Sequence, residues 1–113
     1  MSWWGGRHAI RRTQMKLQQA QNEAQDAREQ LSVDIEAAWS QLTEAYKQVE
    51  IARTSVEEAA ENLRMSTDQY NAGTETISDL LDAETLNRQA RNQLSEAMAT
   101  YQIRLADYLR KTR

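Results

Sequence analysis

From Leu31 onward, apolar residues recur in alternating steps of four and three: Leu31, Ile35, Ala38, Leu42, Ala45, Val49, Ala52, Val56, Ala59, Leu63, Ser66 and Tyr70. A repeat averaging 3.5 residues keeps one stripe turned toward a partner, so this stretch is predicted to be one side of a coiled coil. A second stretch repeats the pattern through Leu80, Ala83, Asn87, Ala90, Leu94, Ala97, Tyr101, Leu105 and Tyr108. Between them, Tyr70-Asn71-Ala72-Gly73-Thr74 is the internal turn signal. Asn71 and Gly73 tolerate left-handed backbone angles, and Thr76 or Ser78 can cap the helix that follows. The pattern predicts helices over residues 7–70 and 77–110, roughly 95 Å and 50 Å long at about 1.5 Å per residue, with the tip at about 70–76.

Folding the chain back at Gly73 sets the layers. Leu63 then faces Ala83, Val56 faces Ala90, Ala52 faces Leu94, Val49 faces Ala97, Ala45 faces Tyr101 and Ala38 faces Tyr108. Large meets small at nearly every layer, which lets two helices approach closely without voids. A slipped register loses this match. The expected fold class is therefore all-α, a long antiparallel coiled-coil helical hairpin.

Upstream the phase changes. Ile10, Thr13, Leu17, Ala20, Ala24, Ala27 and Leu31 run in steps of three and four, and the joint through Ala27, Leu31 and Ile35 takes two steps of four. Such a stutter locally unwinds a left-handed supercoil. It falls where the second helix runs out, because Arg110 comes level with about residue 36. The Ala-rich seam before it has no partner within this chain, so a second copy is expected to cover it in a homodimer of the isolated chain. Residues 1–6, ending in Gly5-Gly6, read as a non-helical leader, and residues 7–113 as the hairpin.

Composition agrees with long helices. The 113 residues limit the chain to one domain, and there is no Pro to interrupt a helix. Apolar residues make up 40% of the chain, too few for a compact globule of this size, so a narrow seam must serve as the core. The net charge of −3 argues against non-specific nucleic-acid binding. No apolar run approaches the roughly 20 residues of a membrane-spanning helix. The start, Met1-Ser2-Trp3-Trp4-Gly5-Gly6, lacks the apolar centre of a signal peptide. Trp39 and Tyr46 lie beside the seam, each directly after a seam Ala. Either they flank and cover the hairpin, or they form a second stripe for a helix walled in on both sides.

Catalytic chemistry finds little footing. His8 is the sole His and there is no Cys, so neither a zinc site nor a Ser-His-Asp triad can be assembled. Gly5-Gly6 is not followed by the Lys-Ser/Thr of a phosphate loop. Asp79 and Asp82 form a carboxylate pair, but a bare tip offers no pocket to raise either pKa. No enzyme and no cofactor are expected. Charge is nonetheless segregated. Asp68, Glu75, Asp79 and Asp82 lie near the tip against Arg64 alone, while Arg7, Arg11, Arg12, Lys16, Arg104, Arg110, Lys111 and Arg113 lie at the far end. Helix-start electrostatics alone can account for Asp79 and Asp82.

The tip carries a resemblance. Tyr70-Asn71-Ala72-Gly73-Thr74-Glu75-Thr76-Ile77-Ser78-Asp79-Leu80-Leu81-Asp82-Ala83 resembles the turn of TolC-type outer-membrane efflux proteins, Tyr-x-x-Gly-Thr-x-x-x-x-Asp-(Val/Leu)-Leu-Asp-Ala. The approach through Ala59, Leu63 and Tyr70 and the exit through Ala90, Leu94, Ala97 and Tyr101 are similar as well. Trp3-Trp4-Gly5-Gly6 resembles the junction between a barrel strand and the long periplasmic helix.

The resemblance implies a piece of a periplasmic α-barrel, the hairpin of the second of two repeats. In that family three chains build an outer-membrane β-barrel and an α-helical tunnel whose entrance meets a periplasmic adaptor protein and, with it, an inner-membrane pump. By position, Asp79 and Asp82 match the aspartates that ring the closed entrance. Tyr70, with the Asn71-Ala72-Gly73-Thr74 turn, matches the gate-holding and adaptor-docking elements. Glu75 is a departure, because some members place there an Arg that latches the gate by salt bridges. The implied partners are thus the adaptor and pump within a parent homotrimer, and the implied location is the periplasmic part of an outer-membrane protein. Two other readings stay open: the adaptor's own coiled-coil hairpin, although no Arg-Leu-Ser-like docking motif occurs in residues 66–80, and a coiled-coil scaffold without a transport role.

Overall fold

The computed structural model describes the backbone of residues 2–113 and the side chains from Trp4 onward. Two α-helices account for nearly all of it: α1, Ser2–Asn71, of 70 residues, and α2, Ile77–Thr112, of 36 residues. Both bounds at the tip lie within one residue of those read from the apolar repeat. The start does not. Residues 2–6 are helical and α1 begins at Ser2, so the non-helical leader expected over residues 1–6 is corrected for the described part of that stretch, Met1 lying outside it. Gly lowers helix stability by roughly 1 kcal/mol relative to Ala but does not break a helix as Pro does. A Cβ at Gly5 or Gly6 would meet nothing within 4 Å beyond the helix's own backbone, so neither glycine is there to admit a close neighbour.

The chain divides into two units, residues 1–37 and 38–113. In the second, α1 and α2 pack as an antiparallel hairpin. Its buried residues are Ala38, Leu42, Ala45, Val49, Ala52 and Ser66 from α1, with Ala83, Asn87 and Ala90 from α2. Ile35 apart, which belongs to the first unit, the half-buried apolar residues Val56, Ala59, Leu63, Leu80, Leu94, Ala97, Tyr101, Leu105 and Tyr108 complete the same stripe. This is the seam expected from the 3.5-residue repeat. Register follows from direct contacts. The rings of Trp39 and Tyr108 lie 5.3 Å apart, those of Tyr46 and Tyr101 lie 6.0 Å apart, and Arg104 donates to Gln41 Oε1 at 3.2 Å. Each contact joins residues within one position of the expected layers.

The core is one side chain deep. Alternating Ala leaves little bulk between the helices, which is what permits the close approach. Trp39 and Tyr46 flank the seam through their ring contacts yet remain 53% and 55% exposed. They cover the edge of the hairpin and still present an aromatic ridge outward.

The unit of residues 1–37 is the first half of α1. All of its described side chains are exposed except Asp34 and Ile35, which are half-buried. Amide side chains reach one turn ahead along it: Gln18 to Asn22 at 3.2 Å, Gln25 to Glu29 at 3.3 Å and Gln30 to Asp34 at 2.9 Å. Such pairs add a few tenths of a kcal/mol each to a helix, roughly 0.2–0.5.

Candidate functional site at the hairpin tip

Three successive amides close α1. The Gly73 N–H donates to Tyr70 O at 3.0 Å, the Thr74 N–H to Gln69 O at 2.9 Å, and the Ala72 N–H to Asp68 O at 3.0 Å. The first two together form a Schellman motif, in which the residue past the helix end must be left-handed. Gly73 supplies that conformation with φ +80. The Thr74 hydroxyl adds a second donor to Gln69 O at 3.1 Å. The turn at Asn71, Ala72, Gly73 and Thr74 is therefore exposed but firmly held.

Helix α2 starts on Thr76, whose extended backbone (φ −81, ψ 159) and side-chain oxygen cap the N–H of Asp79 at 3.2 Å. Of the two candidate caps, Thr76 is the one used and Ser78 is not. Asp79 lies in the first turn, where its negative charge suits the helix dipole. Asp82 lies beyond the reach of that turn, so helix-start electrostatics accounts for Asp79 but not for Asp82. Both carboxylates are exposed, and neither forms an ion pair among the described residues. Arg64 is occupied by Glu61 at 2.6 Å and Asp68 at 3.1 Å. The hydrogen bond and charge of Arg64 hold the Glu61 carboxyl below its ordinary value, and Glu61 raises Arg64 in turn. The acidic surface at the tip is thus left to Asp79 and Asp82, with Tyr70 40% exposed beside the turn.

Glu75 stands apart. It is half-buried, and its Oε1 accepts a 3.0 Å hydrogen bond from the Ser66 hydroxyl, itself buried in the seam. Its Oε2 is buried without a hydrogen-bond partner among the described residues. Sequence reasoning placed Glu75 at the tip but missed this bond. The signal was available, since Ser66 is polar where the seam positions of α1 from Leu31 to Leu63 are all apolar. Exposed Ile77 and Leu81, one turn apart on α2, add an apolar strip to the tip, of which the motif specifies Leu81 but not Ile77.

All of α1, the tip and α2 up to its last three residues fall within one match: a family model described as outer membrane efflux protein covers residues 2–109. The chain belongs to the outer membrane efflux protein family. No curated protein and no solved structure matches it. Membership in the outer membrane efflux protein family makes the chain a component of an outer-membrane efflux channel, and the family is one of transport channels rather than enzymes. The family has a periplasmic helical part, and the two helices described here are consistent with it. Neither helix is long and apolar enough to cross a membrane among the described residues.

Proposed function

We propose that this hairpin is a wall segment of the periplasmic tunnel of an outer-membrane efflux channel. Its tip lies at the tunnel entrance and docks the periplasmic adaptor of a tripartite pump, within a parent homotrimer that works with an inner-membrane pump. The observation that carries this reading is the tip: Asn71 to Thr74 are exposed yet held by the Schellman bonds. A docking surface needs that combination, because a pre-ordered loop loses little entropy on binding.

Asp82 supports the entrance role, since capping does not explain it. Repeated around a threefold axis, Asp79 and Asp82 would gather like charge near one point, where the field favours cations. The flanks support the wall role. Trp39 and Tyr46 form a half-exposed ridge on one side of the hairpin. On the other side, a groove of about 430 Å3 runs over Ala45 and Ala97, bordered by Gln41, Gln48 and Thr100. A wall element needs such a neighbour-facing surface on each side.

The test is carried out in the assembled channel. A photo-crosslinking residue at Thr74 should capture the adaptor in cells, and one at exposed Glu57, well away from the turn, should not. Replacing Asp79 and Asp82 together by Asn should relieve block of the closed channel by divalent cations. Equal capture from both positions would remove the docking role, and an unchanged block would return the two aspartates to ordinary surface residues.

A further inference from the structure

Residues 1–22 contain no Asp or Glu, yet Arg7, Arg11, Arg12 and Lys16 are gathered within residues 7–16. All four are exposed. Arg7 and Arg11, and again Arg12 and Lys16, stand one turn apart on α1, where like charges oppose each other. Other cations of the chain are placed differently: Arg53, Arg64, Arg110 and Lys111 each pair with a carboxylate one turn away. The start of α1 thus holds a ladder of positive charge that no carboxylate of its own segment offsets.

These cations have apolar company. Trp4, Arg7, His8 and Arg11, spaced by threes and fours, line one shallow concavity of about 190 Å3. Met15 continues the same face one turn further on. Trp4 and Met15 are 63% and 66% exposed, so two large apolar side chains bracket the guanidinium groups of Arg7 and Arg11. At 3.6 residues per turn this face points away from the seam residues Thr13, Leu17 and Ala20. A neighbour packed on that seam therefore leaves it open.

We propose that this face binds the headgroup of an anionic phospholipid, its phosphate held by Arg7 and Arg11 and the apolar region beneath it touched by Trp4 and Met15. The planar guanidinium fork matches two phosphate oxygens at once. An indole ring, apolar with one polar edge, is favoured at headgroup level. Arg12 and Lys16, on the flank of the face, add attraction toward a negatively charged surface.

A nucleic acid would offer the same phosphate contacts, but it gains nothing from an exposed Met, and the net charge of −3 opposes its approach to the whole chain. Membership in a family of outer-membrane channels, in contrast, brings the chain close to phospholipid. The proposal does not depend on what the hairpin tip binds.

The test is co-sedimentation of the full chain with vesicles. Vesicles of phosphatidylglycerol mixed with phosphatidylcholine should retain it, and vesicles of phosphatidylcholine alone should not. Each cation near an anionic surface contributes roughly a fivefold gain in binding, so Arg7→Gln with Arg11→Gln should weaken retention about 25-fold. Arg88→Gln with Arg91→Gln removes the same net charge from exposed positions on α2 and should leave retention unchanged. Trp4→Ala should weaken it several-fold with every charge in place. Inorganic phosphate at matched ionic strength should displace no more of the chain than chloride does, because it brings no apolar region to Trp4 and Met15. Retention on neither kind of vesicle, or equally on both, would overturn the proposal. So would equal losses in the two charge variants, retention by Trp4→Ala equal to that of the unaltered chain, release by inorganic phosphate, or equal avidity for double-stranded DNA. The substituted side chains are all exposed, and helix content by circular dichroism confirms that each variant is folded.

Discussion

Ser66 and Glu75 are joined across the tip by a 3.0 Å hydrogen bond from the Ser66 hydroxyl to Glu75 Oε1, while the other carboxylate oxygen is buried and has no partner. The bond ties the loop to the last buried layer of α1, and the carboxylate depends on it. Replacing Ser66 by Ala would leave a partly buried carboxylate with neither oxygen satisfied. The expected loss is about 1–3 kcal/mol of unfolding free energy by urea denaturation. Adding Glu75→Gln to Ser66→Ala should recover part of it, since a neutral amide costs less to bury than a carboxylate. A loss in Ser66→Ala no larger than that of an exposed Ser→Ala control would mean that the bond contributes nothing.

Gly73 tests the turn through its backbone alone. Beyond its chain neighbours, no atom lies within 4 Å of where a Cβ would sit, so the cost of Gly73→Ala is that of φ +80. About 1–2 kcal/mol is expected, with Gly73→Asn losing less because Asn adopts left-handed angles more readily. If Ala and Asn behave alike, the left-handed conformation is not what stabilises the turn.

Thr76 caps α2 through its side-chain oxygen. Thr76→Ala should cost about 1 kcal/mol and Thr76→Ser almost nothing, as read from thermal unfolding. Hydrogen exchange adds a local check, because the Asp79 amide should lose protection in the Ala variant and keep it in the Ser variant.

Packing is tested at Ala52 and Ala90, 8% and 7% exposed. Leu at either site should destabilise by roughly 1–3 kcal/mol through overpacking. Gln48→Leu gives the contrast: it sits on the exposed flank and gives up one amide–carboxylate bond to Glu44 at 3.0 Å, worth a few tenths of a kcal/mol at most, roughly 0.2–0.5. Comparable losses at the buried and exposed sites would mean that the layers are misassigned.

Acid should loosen the end of α2 first. Hydrogen bonds from Arg110 and then Lys111 hold the Asp107 carboxyl below its ordinary value. A carboxyl with a lowered folded-state pKa contributes stability above its unfolded value and loses it as pH falls through the folded value. The Asp107 resonance should therefore titrate below that of a free Asp, and exchange at residues 109–112 should quicken over the same range. Titration at the ordinary position would show that the two cations do not act on it.

Much of this architecture was legible in the residues. The seam of Leu, Val and Ala defined both helices and their register, because a period of 3.5 leaves one face for burial and alternating size leaves one alignment. The turn was legible through Asn71 and Gly73, but the Schellman bonds were not, since the amides that close it belong to backbone of any sequence. The start of α1 was misread because Gly5-Gly6 carries the composition of a break without the obstruction of one. The bond between Glu75 and Ser66 was missed for another reason: it joins a loop residue to the seam of the same chain, and the repeat marks Ser66 as polar without naming its partner.

The one-side-chain depth of the hairpin core also bears on how the molecule forms. Every layer brings together residues whose separation along the chain grows steadily with distance from Gly73, from Leu63 and Ala83 near the turn to Ala38 and Tyr108 at the far end. The entropy lost in closing a loop rises with its length, so the layers next to the turn are the least costly to form first, and each completed layer shortens the loop for the next. Folding should therefore begin at the tip and close outward like a zip, and unfolding should start at the Trp39–Tyr108 end. The last part of the hairpin to melt would then be the turn itself.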